Sequence, residues 1–170
     1  MLDIIKLIFD ICLFKKGPQD VPYSLLLLRL MLIADAGVSF LMLSIGSPWL
    51  IALLQAGVGI MLVLGFCWIM LFLGGRPERF YQTSCALLGT EALISFFALP
   101  GTATLITGRM PELAFSVIIG LMVWHWAVTG HIIRHALEKT LLFSLGLAFL
   151  YILGSYQVMA LLFPEVSVIE

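Results

Sequence analysis

The sequence predicts an all-α integral membrane protein: a bundle of five transmembrane helices behind an N-terminal amphipathic interfacial helix. Three observations predict it. Of 170 residues, 62% are hydrophobic and 11% charged, with a mean hydropathy of +1.13. Soluble domains average about 45–50% apolar and about 25% charged residues. Nine Lys+Arg and ten Asp+Glu are too few to cover a water-soluble globule. Five apolar runs are long enough to cross a hydrocarbon core of roughly 30 Å, which takes about 20 helical residues. None of these runs alternates with period 2, so their backbones are satisfied within helices and not in a barrel.

Residues 1–22 form the first unit, a helix and linker. Asp3, Lys6 and Asp10 recur at helical spacing and share one face, while Leu2, Ile4, Ile5, Leu7, Ile8, Phe9, Ile11, Leu13 and Phe14 cover the rest. Too short to span and too apolar to float free, the segment either lies on the cytoplasmic leaflet, with Lys15-Lys16 near anionic head groups, or packs against a partner subunit. Gly17-Pro18 ends it. The transmembrane domain, 23–163, follows with spans at Tyr23–Ile45, Trp49–Leu73, Phe80–Leu99, Leu113–Ile133 and Thr140–Phe163, and 164–170 is a short tail. Gly46-Ser47-Pro48 closes the first hairpin, and Gly74–Arg79 breaks the second and third spans. Pro100-Gly101 and Gly108–Glu112 bound the longest loop, and Arg134–Lys139 marks the last polar break.

Orientation follows the excess of Lys and Arg in short cytoplasmic loops. With the N-terminus inside, Lys6, Lys15, Lys16, Arg76, Arg79, Arg134 and Lys139 are inner and only Arg109 is outer, which leaves the C-terminus periplasmic. A net charge of −1 offers no field for nucleic acid. Cys12, Cys67 and Cys85 show no paired spacing, so neither a disulfide framework nor a zinc knuckle is indicated. Asp3 and Asp10 interrupt what would be the apolar stretch of a cleaved signal.

The Gly-Pro after an amphipathic start, five apolar helices, and the residues Gly74, Gly75, Phe80, Gln82 and Thr83 leading into the third span together resemble the Yip1-type membrane proteins. The resemblance covers about 15–163. It implies a compact five-helix bundle without a defined reaction. Short loops and the absence of a long polar N-terminal domain look like a bacterial inner-membrane member.

Ionisable groups inside a membrane helix cost roughly 2.5–3.5 kcal/mol at its centre, so each is a functional candidate. Asp35, Glu91 and His125 all fall near the middle of their spans. They form either a proton or cation relay or polar ties between helices. Gln55 and Gln157 are further intramembrane amides expected to be buried. Near the inner face, His131 and His135 share a helical face beside Arg134, with Arg29 at similar depth. These four are expected to meet lipid phosphate or an acidic partner, with plain topogenic charge as the alternative. A metal held by His131, His135, Cys67 and Cys85 is disfavoured, because the thiols come from separate helices. Trp124 and Trp126 flank His125 at mid-depth, where they pack the bundle. No nucleophile elbow, P-loop or dinucleotide fingerprint occurs, so no catalytic residue, metal or cofactor is assigned. The resulting expectation is a non-enzymatic inner-membrane scaffold or accessory subunit. It would sit in the lipid bilayer with other membrane subunits or further copies of itself. A small proton-coupled carrier using Asp35 and Glu91, or a lipid-binding or lipid-modifying protein, are the alternatives.

Overall fold

Each apolar run becomes one helix, because inside lipid a backbone can only satisfy itself. The computed structural model describes residues 2–106, 108 and 111–164. Among them are α1 (Leu2–Cys12), α2 (Leu25–Ser44), α3 (Trp49–Leu73), α4 (Phe80–Ile106), α5 (Pro111–Leu137) and α6 (Leu141–Leu162). Short 3-10 turns, Pro18–Asp20 and Pro77–Arg79, lead into α2 and α4. Helices α2 to α6 each have the length and hydropathy of a membrane span. The chain is therefore an all-α, polytopic membrane protein with a short N-terminal helix. Arg109 and most of the expected tail, 165–170, lie outside the described residues.

The helix ends follow local chemistry. Ser24 caps α2, its hydroxyl accepting from the Leu27 N–H at 3.3 Å. Gly75 turns the chain after α3 at φ 68°, which glycine adopts without a Cβ clash. Two stops differ from expectation: α5 runs past Ile133 to Leu137 and takes in Arg134 and His135, and α4 is also longer. Helix α4 continues past Leu99 and through Pro100 to Ile106. A proline inside a helix removes a donor, and in membrane helices Ser/Thr hydroxyls compensate for such losses. Here the carbonyl left open is that of Phe96, four residues before Pro100; Thr102 and Thr104 add bonds to the neighbouring Ala98 and Pro100 carbonyls, at 2.7 and 2.6 Å.

Helix α4 is the central one, with neighbours α2, α3, α5 and α1 around it. Every residue from Thr83 to Thr90 is buried, and all are small except Leu87 and Leu88, which lets the neighbouring backbones come close. Gly89 is the extreme case. A Cβ there would lie 2.8 Å from Ile8 Cδ1 and 2.9 Å from Met31 Sδ, so α1 and α2 meet on this one position.

That contact shows how the N-terminal helix is used. Part of its apolar surface is covered by its own chain: Ile8, Ile11 and Cys12 are buried in the main core, while Ile5 and Phe9 stay exposed. Trp124 on α5 donates its indole N–H to the Cys12 carbonyl at 3.0 Å, and Phe9 meets Phe97 edge-on, with centroids 6.3 Å apart. At about 1.5 Å per residue, Gly89 stands roughly 13 Å along α4 from Phe80. Helix α1 therefore dips below the start of α4 and fills the space beside it, with Asp3 and Lys6 on its exposed side.

Candidate functional site around Glu91

The intramembrane polar residues come from four helices, each placed by helical spacing. Asp35, Ser39 and Met42 recur on one face of α2, and Glu91, Ser95, Ala98 and Thr102 on one face of α4. Gln55 and Gly59 face them from α3, and Leu121, Met122 and His125 from α5. The faces do not close fully, and two cavities remain.

The smaller cavity, about 170 Å³, is bounded by Asp35, Ser39, Gln55, Gly59, Glu91 and Met159 among others. The larger, about 300 Å³, lies between α4 and α5, with Glu91 and His125 among mainly apolar walls of Ile94, Ile118, Leu121 and Met122. Glu91, Ser95 and Met42 border both. Glu91 is thus the wall between a cavity holding the second carboxyl and a cavity holding the imidazole. A water in liquid occupies about 30 Å³, so either space admits several; the larger reaches the low end of small-ligand pockets, about 300 Å³.

Burial sharpens the chemistry. Asp35 is 2% exposed and Gln55 5%, and Asp35 Oδ1 and Gln55 Oε1 have no hydrogen-bond partner among the described residues. Buried polar atoms are nearly always satisfied, by protein or by water. Two carboxylates facing one cavity cannot both stay charged at low dielectric unless a proton or a cation joins them. Tyr151 on α6 stacks on Phe66 with centroids 4.4 Å apart. In the sequence it was one tyrosine within an apolar span, with no signal beyond that.

The remaining expected residues separate. Gln157 was expected to be buried; the structure places it on an exposed position of α6, because its helix covers only the Ser144–Ala148 side. Arg29 is likewise exposed on α2. His131 is buried, its Nε2 2.9 Å from the Lys16 carbonyl, its ring edge-on to Phe14 and 4.5 Å from the His135 ring. It fastens the segment after α1 to α5. Cys67 takes a hydrogen bond from Ser84 at 3.3 Å inside the α3–α4 contact. Among the described residues no group of three or more His, Cys, Asp or Glu could hold a metal ion. Trp126 donates to the Leu145 carbonyl at 2.9 Å, so both flanking tryptophans tie the bundle together.

Charges that sequence reasoning assigned to topology form a clamp. Glu138, directly after α5, accepts from Arg76 through both oxygens, at 2.8 and 2.6 Å, and from Arg79 at 2.6 Å. Arg79 also donates to the His135 and Ala136 carbonyls at 3.1 Å, satisfying acceptors that the helix end leaves open. Hydrogen bonds from Arg76 and then Arg79 pull the Glu138 carboxyl down to about 2, and Glu138 in turn pushes the Arg76 guanidinium up. Glu138 itself takes φ 54°, a left-handed conformation unusual outside glycine and asparagine, where the Lys139 N–H closes the helix end onto the Arg134 carbonyl at 3.3 Å. Comparison with protein families, characterised proteins and solved structures finds no match for this chain.

Proposed function

We propose that this polytopic membrane protein binds and relays protons within the bilayer, as a small proton-coupled carrier in which Glu91 passes a proton between Asp35 and His125. The observation that carries this reading is the shared wall: Glu91 borders the Asp35 cavity and the His125 cavity at once. If these groups served only to tie helices, they would be expected to bond one another. Instead, Asp35 Oδ1 and Gln55 Oε1 are buried without a partner among the described residues.

The test is proton flux into proteoliposomes loaded with a pH-sensitive dye under an imposed potassium diffusion potential. Wild-type protein should acidify the lumen. Glu91→Gln, reconstituted at the same folded level, should lose at least about tenfold in rate, and Asp35→Asn should follow it. Equal rates for wild type and Glu91→Gln would overturn the reading.

A second reading, an accessory subunit or scaffold of a membrane complex, is supported by α6, which buries only Ser144 and Ala148 and leaves Leu142, Leu150 and Leu161 outward. Other subunits or a further copy would then cover that side. In the Yip1-type reading, Gly74 and Gly75 end α3 and Phe80, Gln82 and Thr83 open α4, where Gln82 donates to the Val21 carbonyl at 2.7 Å and Thr83 is buried. A bacterial inner membrane with the N-terminus cytoplasmic completes the proposal, and it puts Arg76, Arg79, Arg134 and Lys139 inside.

A further inference from the structure

At the end of the bundle that carries the clamp, a cavity of about 350 Å³ is lined by Gln19, Arg79, Arg134, His135, Glu138 and Lys139. We infer that this cavity binds the phosphate group of an anionic ligand, with Arg134 and Lys139 as its free cations.

The argument is one of charge and valence. Three of the six lining residues are Lys or Arg and one is a carboxylate. That carboxylate is already used: both Glu138 oxygens accept from Arg76, and one also from Arg79. Arg79 has its own Nη1 committed to the His135 and Ala136 carbonyls. The one carboxylate of the lining is thus shared between Arg76 and Arg79, and the positive charge of Arg134 and Lys139 remains without a counterion in the lining. Both side chains belong to exposed residues at the mouth. The Gln19 amide and the His135 ring add neutral polar groups on the same wall.

The clamp also gives the cavity a fixed shape. Arg79 joins the turn before α4 to the end of α5, and His131 joins α5 to the carbonyl of Lys16. The sides that present Gln19 and Arg134 are thus held relative to each other before any ligand arrives. A phosphate offers several acceptor oxygens to a guanidinium fork and an ammonium, and helix α5 ends where the polar boundary of a bilayer would lie. Of the four residues expected to meet lipid phosphate, the geometry retains Arg134 and His135. It sets aside His131, which is buried and bonded, and Arg29, which is not part of the lining.

The phosphate could belong to a lipid head group or be free in solution, and one experiment separates the two. The full chain, purified in a neutral maltoside detergent, is titrated with dioctanoyl phosphatidylglycerol, dioctanoyl phosphatidylcholine and inorganic phosphate, with the thermal midpoint and the bound mass as readouts. Preferential binding of phosphatidylglycerol over phosphatidylcholine, weakened about tenfold or more in the Arg134→Gln/Lys139→Gln double variant, supports the site with a lipid as its ligand. Binding of inorganic phosphate with the same loss in the double variant supports it with a soluble ligand. Arg29→Gln should bind as wild type does. Absence of any preference for the anionic lipid together with no phosphate binding, or equal binding by wild type and double variant, would overturn the inference. Neither Arg134 nor Lys139 takes part in the proton site, so its failure in the flux assay leaves this result standing.

Discussion

The two halves of α4 are built from the same kinds of residue and end in opposite states. From Thr83 to Thr90 the helix is buried without a gap, against α1, α2, α3 and α5. Beyond Glu91 it becomes half-exposed, with Phe96 and Phe97 facing outward, and both intramembrane cavities lie along it. The two glycines of α4 differ in degree: an added Cβ would lie 2.8 Å from Ile8 Cδ1 at Gly89 and 3.3 Å from Ile118 Cγ1 at Gly101. Helix α1, of eleven residues, packs Ile8 into the first half at Gly89 and reaches the second half with the Phe9 ring against Phe97. Dense packing holds the fold at one end, and incomplete packing leaves room for polar chemistry at the other.

The sharpest way to break this comparison is to overfill one half and then the other. Gly89→Leu should destabilise the protein by roughly 1–3 kcal/mol or prevent its folding, because the new side chain must displace Ile8 and Met31. Gly101→Ala, in the other half, should lie within about 0.5 kcal/mol of wild type or be mildly stabilising, because only the Ile118 side chain, 3.3 Å from the added Cβ, has to give. Thermal or denaturant unfolding in detergent measures both. Equal losses would show that the halves are packed alike.

A smaller effect tests whether α1 causes the dense half. Trp124→Phe removes the indole hydrogen bond to the Cys12 carbonyl, at a cost of about 1 kcal/mol. Maleimide labelling of Cys12, located by peptide mass spectrometry, should accelerate about fivefold as α1 leaves its groove more often. Unchanged labelling would mean that apolar contact alone holds the helix.

The smallest effect concerns the clamp, which is exposed to water. Glu138 has its folded carboxyl lowered from 4.5 to about 2. Its contribution is therefore fully present above about pH 4.5 and is lost as pH falls through 2. Glu138→Gln should lower the thermal midpoint slightly at pH 7. It should also flatten the acid side of the stability profile, so that variant and wild type converge near pH 2. Parallel profiles would assign the acid sensitivity to other carboxyls.

Much of this architecture could be read along the chain. The Asp35, Glu91 and His125 positions were visible because a charged or imidazole side chain is conspicuous among Leu and Phe. Their depth followed from counting residues. That Glu91 faces both of the others could not be counted, since it depends on the rotation of each helix about its own axis. Gln157 shows the limit in the other direction: an amide in an apolar run suggests burial, yet α6 covers only one side and turns it out. Pro100 reads as a stop in local terms, and α4 passes through it with two threonine hydroxyls nearby.

Hydropathy alone determined that five segments span and that a shorter one precedes them, because transfer of apolar residues from water and internal satisfaction of the backbone are local requirements. Tertiary structure alone decided where α1 goes, which carboxyls share a cavity, and that Arg76 and Arg79 grip Glu138. These outcomes depend on surfaces distant in sequence fitting each other, and within lipid that fit is set by close packing between helices, which no single segment encodes.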